Sequence, residues 1–210
     1  MPVTIRRATM NDADKLLEWR NDPETVRFST TDAGVSKDEH YSWLERKLDS
    51  EETMILIGCD SASGEEMGVV RFDAHDEHFW VVSINLAPAW RGRKMAAPLL
   101  DGAVAVFGNE HTAILTAYVK QDNIASRNVF ERCGFALYEE NEDQLTYMNK
   151  VLIINEIEAV RSRNNVNWMN LMRLAFRVAP HEAEEIFKNV NKDDGTIAAL
   201  LNTLTRKMPK

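Results

Sequence analysis

The chain has 210 residues, 44 % of them hydrophobic and 28 % charged, with a formal net charge of −8. This composition is typical of an ordinary soluble globular protein, long enough for one core domain plus an appendage. No apolar run reaches membrane length, and residues 1–10 lack the apolar core of a signal peptide, so we expect a cytoplasmic protein with no membrane partner. Two cysteines, Cys59 and Cys133, suggest neither a disulfide framework nor a zinc site, and no metal is implied.

The negative charge is concentrated in the first part of the chain. Residues 151–210 hold 9 Lys+Arg against 7 Asp+Glu, which leaves 16 against 26 for residues 1–150. The two parts therefore carry +2 and −10. Because binding to a nucleic-acid backbone requires clustered positive charge, this balance argues against a nucleic-acid partner.

The first elements predicted in chain order are a strand over Ile5–Ala8 and a helix over Asn11–Trp19. An apolar strand then ends at Cys59. A longer apolar run, Phe79–Leu86, is rich in valine and isoleucine and predicts a buried strand.

A basic, glycine-bearing loop follows that strand and leads into a helix. The loop reads RGRKMA over residues 91–96, and apolar residues then recur at helical spacing as far as Phe107. The N–H groups at a helix N-terminus are unpaired and carry the positive end of the dipole, so with Arg91, Arg93 and Lys94 beside them they suit a pyrophosphate. The alternative is a basic surface turn.

A second strand–helix unit lies downstream. Ala113–Val119 predicts a buried strand, and a short helix is predicted over Ile124–Arg132, with Gly134 as the residue that ends it. A last strand is predicted over Leu145–Met148.

The chain changes character after residue 150, so we predict two domains, residues 1–150 and 151–210. Strand alternation stops, and apolar residues fall at helical spacing in three or four groups. Breaks between these helices are predicted at 164–165, 179–180 and 193–195, with Asp194 or Thr196 capping the last helix. The groups are Ile153, Ile157 and Val160; Trp168, Leu171, Met172, Ala175 and Val178; Ile186, Phe187 and Val190; and Ile197, Leu200, Leu201 and Leu204.

The two strand–loop–helix units together resemble the GNAT superfamily of acyl-CoA N-acyltransferases. The resemblance rests on the RGxxxA loop at 91–96 and on NxxSxxxFERxGF at 123–135, and it covers about residues 3–150. It implies an α/β (α+β) GNAT fold, with a mixed central sheet flanked by helices and with acetyl-CoA in a gap between two strands; residues 151–210 form an all-helical appendage. The cofactor residues that it implies are Ile84, Leu86, Arg91, Gly92, Arg93, Lys94, Met95, Ala96, Asn123, Asn128 and Phe130.

Three positions depart from the family pattern. Lys94 stands at the second glycine of the loop, where a left-handed backbone would cost a side chain about 1–2 kcal/mol. Phe130 stands where the family commonly has a tyrosine that protonates the leaving thiolate, so Tyr118 and Tyr138 are the substitutes. Val81 stands near the position of the family's glutamate base, which leaves the site without its usual carboxylate.

The missing base predicts an amine acceptor of low pKa, such as an amino sugar or a protein α-amine. Ser83 lies two residues beyond Val81, and Glu77 and His78 precede the strand, where they are expected to relay a proton through water. The catalytic residues predicted here are Ser83, Glu77, His78 and Tyr138. A charged turn is the alternative for Glu77 and His78.

The first helices and their connection form the acceptor wall that the resemblance implies. The segments WRNDP at 19–23, RFS at 27–29 and EHYSW at 39–43 look like those of acetyltransferases of nucleotide-linked amino sugars made for pseudaminic and legionaminic acid glycans, and also those of ribosomal-protein N-acetyltransferases. The acceptor residues that follow are Arg20, Asn21, Arg27, His40 and Trp43, although Trp19 and Trp43 also suit the core.

We therefore predict an enzyme that moves an acetyl group from acetyl-CoA directly to the primary amine of a small molecule, a nucleotide-linked amino sugar. The alternatives are a protein N-terminal acetyltransferase and a non-catalytic domain that binds CoA or a partner. A homodimer remains open.

Overall fold

The chain divides into two compact units, Met1–Asn149 and Lys150–Lys210. The structure is a computed structural model. The residues that it describes are 3–29, 33–163, 192 and 194–204.

The first unit contains seven strands and five helices among its described residues, with 3-10 turns at Met10–Asp12 and Pro88–Trp90. The strands are β1 Val3–Arg7, β2 Thr53–Asp60, β3 Glu66–Ala74, β4 Phe79–Leu86, β5 Ile114–Lys120, β6 Ala136–Glu140 and β7 Gln144–Asn149. The helices are α1 Ala13–Asn21, α2 Pro23–Phe28, α3 Lys37–Leu48, α4 Ala96–Gly108 and α5 Ile124–Arg132.

Side-chain caps start three of these helices. Asp22 accepts from the N–H groups of Glu24 and Thr25 at the start of α2, and Ser36 forms a reciprocal capping box with Glu39 at the start of α3. Asn123 caps α5 with its side chain, which accepts from Ser126 N. The polar residues that precede α2, α3 and α5 therefore fix where these three helices begin.

The strands form one mixed sheet in the order β1-β2-β3-β4-β5-β7-β6. Every neighbouring pair is antiparallel except β4 and β5, which run parallel. Parallel neighbours need a crossover connection, and α4 supplies it here. The mixed sheet with flanking helices confirms the predicted fold class.

Helices cover both faces of this sheet. On one face, α4 packs through Phe107, whose ring stacks on Phe72 at a centroid distance of 4.4 Å. Gly68 lets this helix approach closely, because a Cβ there would lie 2.9 Å from Leu99 Cδ2. Helices α1 to α3 cover the other face, where Asn85 Nδ2 donates to Trp19 O. We call these the α4 face and the α1–α3 face.

The element bounds confirm most of the predictions. The strand Phe79–Leu86 and the helix Ile124–Arg132 have the predicted bounds, and Gly134 has the left-handed φ of 79° expected of a residue that ends a helix. The first strand begins earlier than predicted, at Val3, and the residues before Ala13 form a 3-10 turn. The edge strand β6 was not predicted, since its five exposed residues carry no apolar alternation.

The second unit is helical where the structure describes it. Helix α6 spans Val151–Arg163 and buries Ile153, Ile157 and Val160 at the predicted spacing. Residues 194–204 are also helical, so the break predicted around 193–195 is wrong at positions 194 and 195. The predicted breaks at 164–165 and 179–180, and the apolar groups from Trp168 to Val190, lie outside the described residues.

Thr196 sits inside this helix, where its Oγ1 donates to Lys192 O at 3.1 Å, so it does not act as the predicted cap. In the described part of the chain, no helix has both the length and the hydropathy that a membrane crossing requires.

Candidate active site

The sheet opens between β4 and β5. Their parallel pairing consists of Phe79 with Ile114, Trp80 with Leu115 and Val81 with Thr116. Past this last pair, β4 continues from Val81 to Leu86 and β5 continues from Thr116 to Lys120. The structure gives no pairing between these two described segments. We call this gap the split, and its closed end at Val81 and Thr116 the apex.

The backbone of β4 presents unpaired groups to the split. Ile114 N donates to His78 O at 2.8 Å, whereas Ala87 N donates to Met67 O on the opposite side of the strand at 2.9 Å. Since backbone groups alternate along a strand, the even-numbered residues face β5. Ile84 and Leu86 therefore direct their N–H and C=O groups into the split, where an extended ligand with amide groups can pair with them.

The basic loop follows β4 beyond the far end of the split, and two of its residues have left-handed backbone. Gly92 has φ 71° and Lys94 has φ 61°, both left-handed. Met95 precedes α4 and no described side chain caps this helix. The uncapped first turn of α4 offers unpaired N–H donors beside this loop. This backbone suits a pyrophosphate.

Of the three loop cations, Arg93 and Lys94 are exposed. Arg93 lies over the ring of the buried Trp90, with Cζ 5.1 Å from the ring centroid. Arg91 points elsewhere, because its Nη1 bonds Asp22 Oδ1 at 2.6 Å and Glu24 Oε2 at 3.0 Å. The side chain of Arg91 thus neutralises the start of α2, although its backbone remains in the loop.

The three predicted cofactor residues at α5 differ in exposure and in their contacts. The amide oxygen of Asn123 accepts from Ser126 N at 3.0 Å, which leaves its NH₂ group as the donor for a ligand. Asn128 is exposed on α5. Phe130 is 3 % exposed and packs on Phe135, with ring centroids 5.1 Å apart, so it belongs to the core.

Helix α2 bridges the split on the α1–α3 face. On the β4 side, Thr25 Oγ1 donates to Asn85 Oδ1 at 3.1 Å. On the β5 side, Lys120 Nζ donates to Arg27 O at 2.9 Å, and Arg27 Nη2 pairs with Asp122 Oδ2 at 3.1 Å. The ion pair with Asp122 therefore partly neutralises the charge that Arg27 could offer to an acceptor.

A polar group faces the α1–α3 side beside the apex. Ser83 is exposed on β4, and its cross-strand partner on β3 is Arg71. Asp73, the partner of Val81, accepts from Arg71 Nε at 2.6 Å and from Lys47 Nζ at 2.7 Å. Burial alone would raise the pKa of Asp73, but the two cations outweigh it and hold that pKa below its ordinary value.

The aromatic residues of α3 extend this group. Trp43 lies under Arg71, with Cζ 5.3 Å from the ring centroid, and His40 lies 5.6 Å from Trp43 between ring centroids. Burial lowers the pKa of His40, which also bonds the backbone of Ala13 and lies near the positive charge of Arg20. A neutral, buried imidazole at 4 % exposure results, and Nε2 has no partner among the described residues.

The amide of Asn21, a predicted acceptor residue, is bonded to the backbone of the loop before α3. Its Nδ2 donates to Val35 O and its Oδ1 accepts from Val35 N, both at 2.8 Å. Both halves of the amide thus hold the loop before α3 against the end of α1.

Comparison with known proteins agrees with this geometry. Residues 3–136 match the family described as "Acetyltransferase (GNAT) domain". The chain belongs to the GNAT acetyltransferase family. It is thereby an acetyl-CoA-dependent N-acetyltransferase, as the sequence predicts. No curated protein sequence matches the chain.

Solved structures at low identity share the fold of this acetyltransferase. A spermidine N-acetyltransferase from Vibrio cholerae, in complex with CoA and spermine, is 15 % identical with a TM-score of 0.62 over 70 % of this chain and 92 % of its own. An aminoglycoside acetyltransferase, AAC(6')-Ib, in complex with coenzyme A, is 17 % identical with a TM-score of 0.61 over 73 % and 98 %. A domain from Methanocaldococcus jannaschii is 20 % identical with a TM-score of 0.60 over 70 % and 97 %.

The predicted proton relay lies away from the split of this acetyltransferase. His78 precedes Val81 by three residues, or about 10 Å of strand, and its Nε2 lies 3.1 Å from Glu77 Oε1. Glu77 lines a cavity of about 480 Å³ at that other end of β4, together with Glu51 and Glu110. This acidic cavity is separate from the split. Glu77 and His78 therefore do not border the backbone groups that suit the cofactor.

The two candidate phenols lie at different distances from the split. Tyr138 is on the outer strand β6, which β7 separates from β5, so it lies about 10 Å beyond β5. Tyr118 is on β5 itself, two residues past Thr116, and its side chain is 43 % exposed. Burial and the charge of Glu139 raise the pKa of Tyr118, which keeps its hydroxyl protonated at neutral pH.

Sequence reasoning missed Arg71 and Asp73. The signal was present in β3, where Val69, Arg71 and Asp73 alternate with Gly68, Val70 and Phe72. Such alternation indicates one apolar and one polar face. The alternation does not indicate which residue of β4 lies opposite each residue of β3. The pairing of these two strands is what places Arg71 beside Ser83.

Proposed function

We propose that this acetyltransferase moves the acetyl group of acetyl-CoA directly to the primary amine of a nucleotide-linked amino sugar. The observation that carries the choice of acetyl donor is the split, where Ile84 and Leu86 present free backbone groups between the apex and the loop at 91–96. A long donor with amides in its arm and a pyrophosphate at its end fits this arrangement of donors and acceptors.

The residues around the split would divide the binding of acetyl-CoA among them. Backbone groups of Ile84 and Leu86 bond the amides of the arm, and the amides of the loop and of the first turn of α4 hold the pyrophosphate, with Arg93 and Lys94 nearby. Acetyl-CoA supplies the activated acyl carbon, which this pose brings to the apex beside Ser83 and Tyr118.

Direct transfer is favoured over a covalent enzyme intermediate. Burial raises the pKa of the Cys133 thiol to about 12, so it is protonated and a poor nucleophile at neutral pH. Cys133 also lies at the end of α5, where Sγ is 3.7 Å from Ala97 O, rather than at the apex. The acceptor amine itself is then the nucleophile.

The apex favours an amine that loses its proton easily. Asp73 is the carboxylate that β3, β4 and β5 place beside the apex on the α1–α3 face, and two cations already pair with it. Without a strong base, deprotonating an amine of pKa about 10.4 at pH about 7.5 costs about 4 kcal/mol, whereas an amine of pKa about 7.8 costs about 0.4 kcal/mol. Electron-withdrawing oxygens bring an amino sugar into the second class.

The proposal is tested with acetyl-CoA and a panel of amine acceptors. Calorimetry measures acetyl-CoA binding first, and release of the free thiol then measures turnover with UDP-glucosamine, glucosamine, spermidine, kanamycin and a peptide with a free α-amine. We expect turnover with UDP-glucosamine above all the others and intersecting initial-velocity lines, as direct transfer requires. A clear preference for the peptide would replace the sugar with a protein α-amine, and parallel lines would contradict direct transfer.

A further inference from the structure

We propose that Arg71 binds an oxyanion of the acceptor close to the amine that is acetylated, and that it excludes polycationic acceptors. The inference rests on the proposed function for one point, the position of the acetyl group at the apex. It names a residue and a substrate class that the family match does not assign.

The strand register places Arg71 at the apex. Arg71 pairs with Ser83, and Asp73 pairs with Val81, the last β4 residue that is paired with β5. Cross-strand partners point to the same face and have Cβ atoms about 5 Å apart. Because Arg71 Nε bonds Asp73, the guanidinium leans toward the level of Val81, where the split begins.

The guanidinium is held in a fixed orientation with most of its donors left over. The ring of Trp43 lies 5.3 Å from Cζ, and Nε is bonded to Asp73 Oδ2 at 2.6 Å. Arginine has five N–H donors, and the structure shows no bond from Nη1 or Nη2 of Arg71 to any residue that it describes. Since 36 % of the side chain is exposed, the remaining fork is open to a ligand.

The local charge favours an anion. Asp73 is one carboxylate between two cations, Arg71 and Lys47, and Thr53 Oγ1 donates to it as well at 3.1 Å. One positive charge is therefore left over beside the apex. This contrasts with the −10 of residues 1–150 as a whole.

A planar fork held in this way suits a phosphate or a carboxylate, which it bonds through two parallel N–H groups. A cationic group in the same place would meet an uncompensated like charge, which is how binding sites exclude the wrong partner. Spermine and aminoglycosides carry several ammonium groups. Arg71 thus argues against polyamine and aminoglycoside acceptors for this chain, although the fold is shared with enzymes that bind them.

The experiment compares acceptors with and without an oxyanion near the amine, and the effect of Arg71 is the change between variants for each acceptor. UDP-glucosamine and glucosamine 1-phosphate are set against glucosamine, and alanine against alaninamide, in wild type, Arg71→Gln and Arg71→Lys. We expect Arg71→Gln to raise KM about 10- to 100-fold for the anionic member of the pair that the enzyme uses, with kcat nearly unchanged and with the neutral member unaffected. Arg71→Lys should lie between, because it keeps the charge and loses the fork.

Arg46→Gln is the matched control, since Arg46 is an exposed arginine on α3. Arg71→Gln loses the pair with Asp73 and the contact with Trp43, so its Tm should fall below that of Arg46→Gln. Acetyl-CoA binding and turnover of the neutral acceptor should be alike in all variants at a temperature where each is folded, which separates a loss of folding from a loss of recognition. Equal effects of Arg71→Gln on charged and neutral acceptors, or a wild type with no preference for the anion in turnover or in calorimetric binding, would overturn the proposal. Preference for alanine that depends on Arg71 would support it while contradicting the sugar acceptor.

Discussion

Lys94 is the residue whose replacement tests the loop most directly. It adopts φ 61°, the left-handed conformation that costs a residue with a side chain about 1–2 kcal/mol. Lys94→Gly removes that cost but adds about 0.5–1 kcal/mol of conformational freedom to the unfolded chain. We expect a net gain of up to about 1.5 kcal/mol, which for a chain of this size raises Tm by up to about 6 °C.

The same change should preserve or improve acetyl-CoA binding. Lys94 is exposed, and a pair between exposed charges contributes about 0.2–1 kcal/mol, so losing it weakens binding by less than about sixfold. Removal of the Cβ lets the backbone N–H groups approach the pyrophosphate more closely, which offsets the loss. Calorimetry at fixed pH and ionic strength measures the affinity.

Two further variants separate charge from backbone strain. Lys94→Ala loses the charge and keeps the Cβ, so it should bind acetyl-CoA no better than Lys94→Gly and should lack the gain in Tm. Gly92→Ala places a Cβ at φ 71° with no atom within 4 Å, so its cost is backbone strain of about 1–2 kcal/mol, partly offset by about 0.5–1 kcal/mol from the reduced freedom of the unfolded chain. We expect Gly92→Ala to lower the free energy of unfolding. A lower Tm for Lys94→Gly, or an affinity loss beyond tenfold, about 1.4 kcal/mol, would refute this reasoning.

Three other predictions follow from the positions of catalytic candidates and of a buried histidine. Alanine at Glu77 or His78 should lower kcat by less than the roughly 10²–10⁴-fold expected of a general base, and a larger loss with binding intact would place the base there. Tyr118→Phe should lower kcat while Tyr138→Phe leaves it unchanged, since Tyr118 alone of the two borders the split; equal effects would exclude Tyr118 as the acid. Because the folded pKa of His40 lies below the ordinary value of about 6.5, the unfolded chain binds more protons and stability falls as pH drops below that value. The free energy of unfolding, measured in urea at pH 7 and at pH 5.5, should therefore fall less between these pH values for His40→Gln than for wild type. An equal fall in both proteins would contradict a lowered pKa for His40.

Local signals in the sequence determined the elements that hold the cofactor loop. The apolar run Phe79–Leu86, the helix over Ile124–Arg132 and the ending at Gly134 depend on residues near each other in the chain, and the structure has them where they were predicted. The RGRKMA and NxxSxxxFERxGF segments likewise identified the family. Capping, glycine φ and periodicity act over a few residues, so a single sequence contains them.

Side-chain partners that come from distant segments were less accessible to sequence reasoning. Arg91 was predicted beside the phosphates, yet its side chain bonds Asp22, which is 69 positions away. Asn21 was predicted to line the pocket, yet its amide bonds Val35. In both cases the partner comes from a distant segment, and composition and spacing contain no information about which segments meet.

The sequence alone therefore determined the strand–loop–helix units, the family and the cofactor class, since each depends on short-range patterns. Only the tertiary structure decided that β4 leaves β5 after Val81, and that Arg71 lies opposite Ser83 beside that point. The physical reason is that register between strands is set by the packing of whole faces against their helices, and a slip of one residue would turn Arg71 to the α4 face.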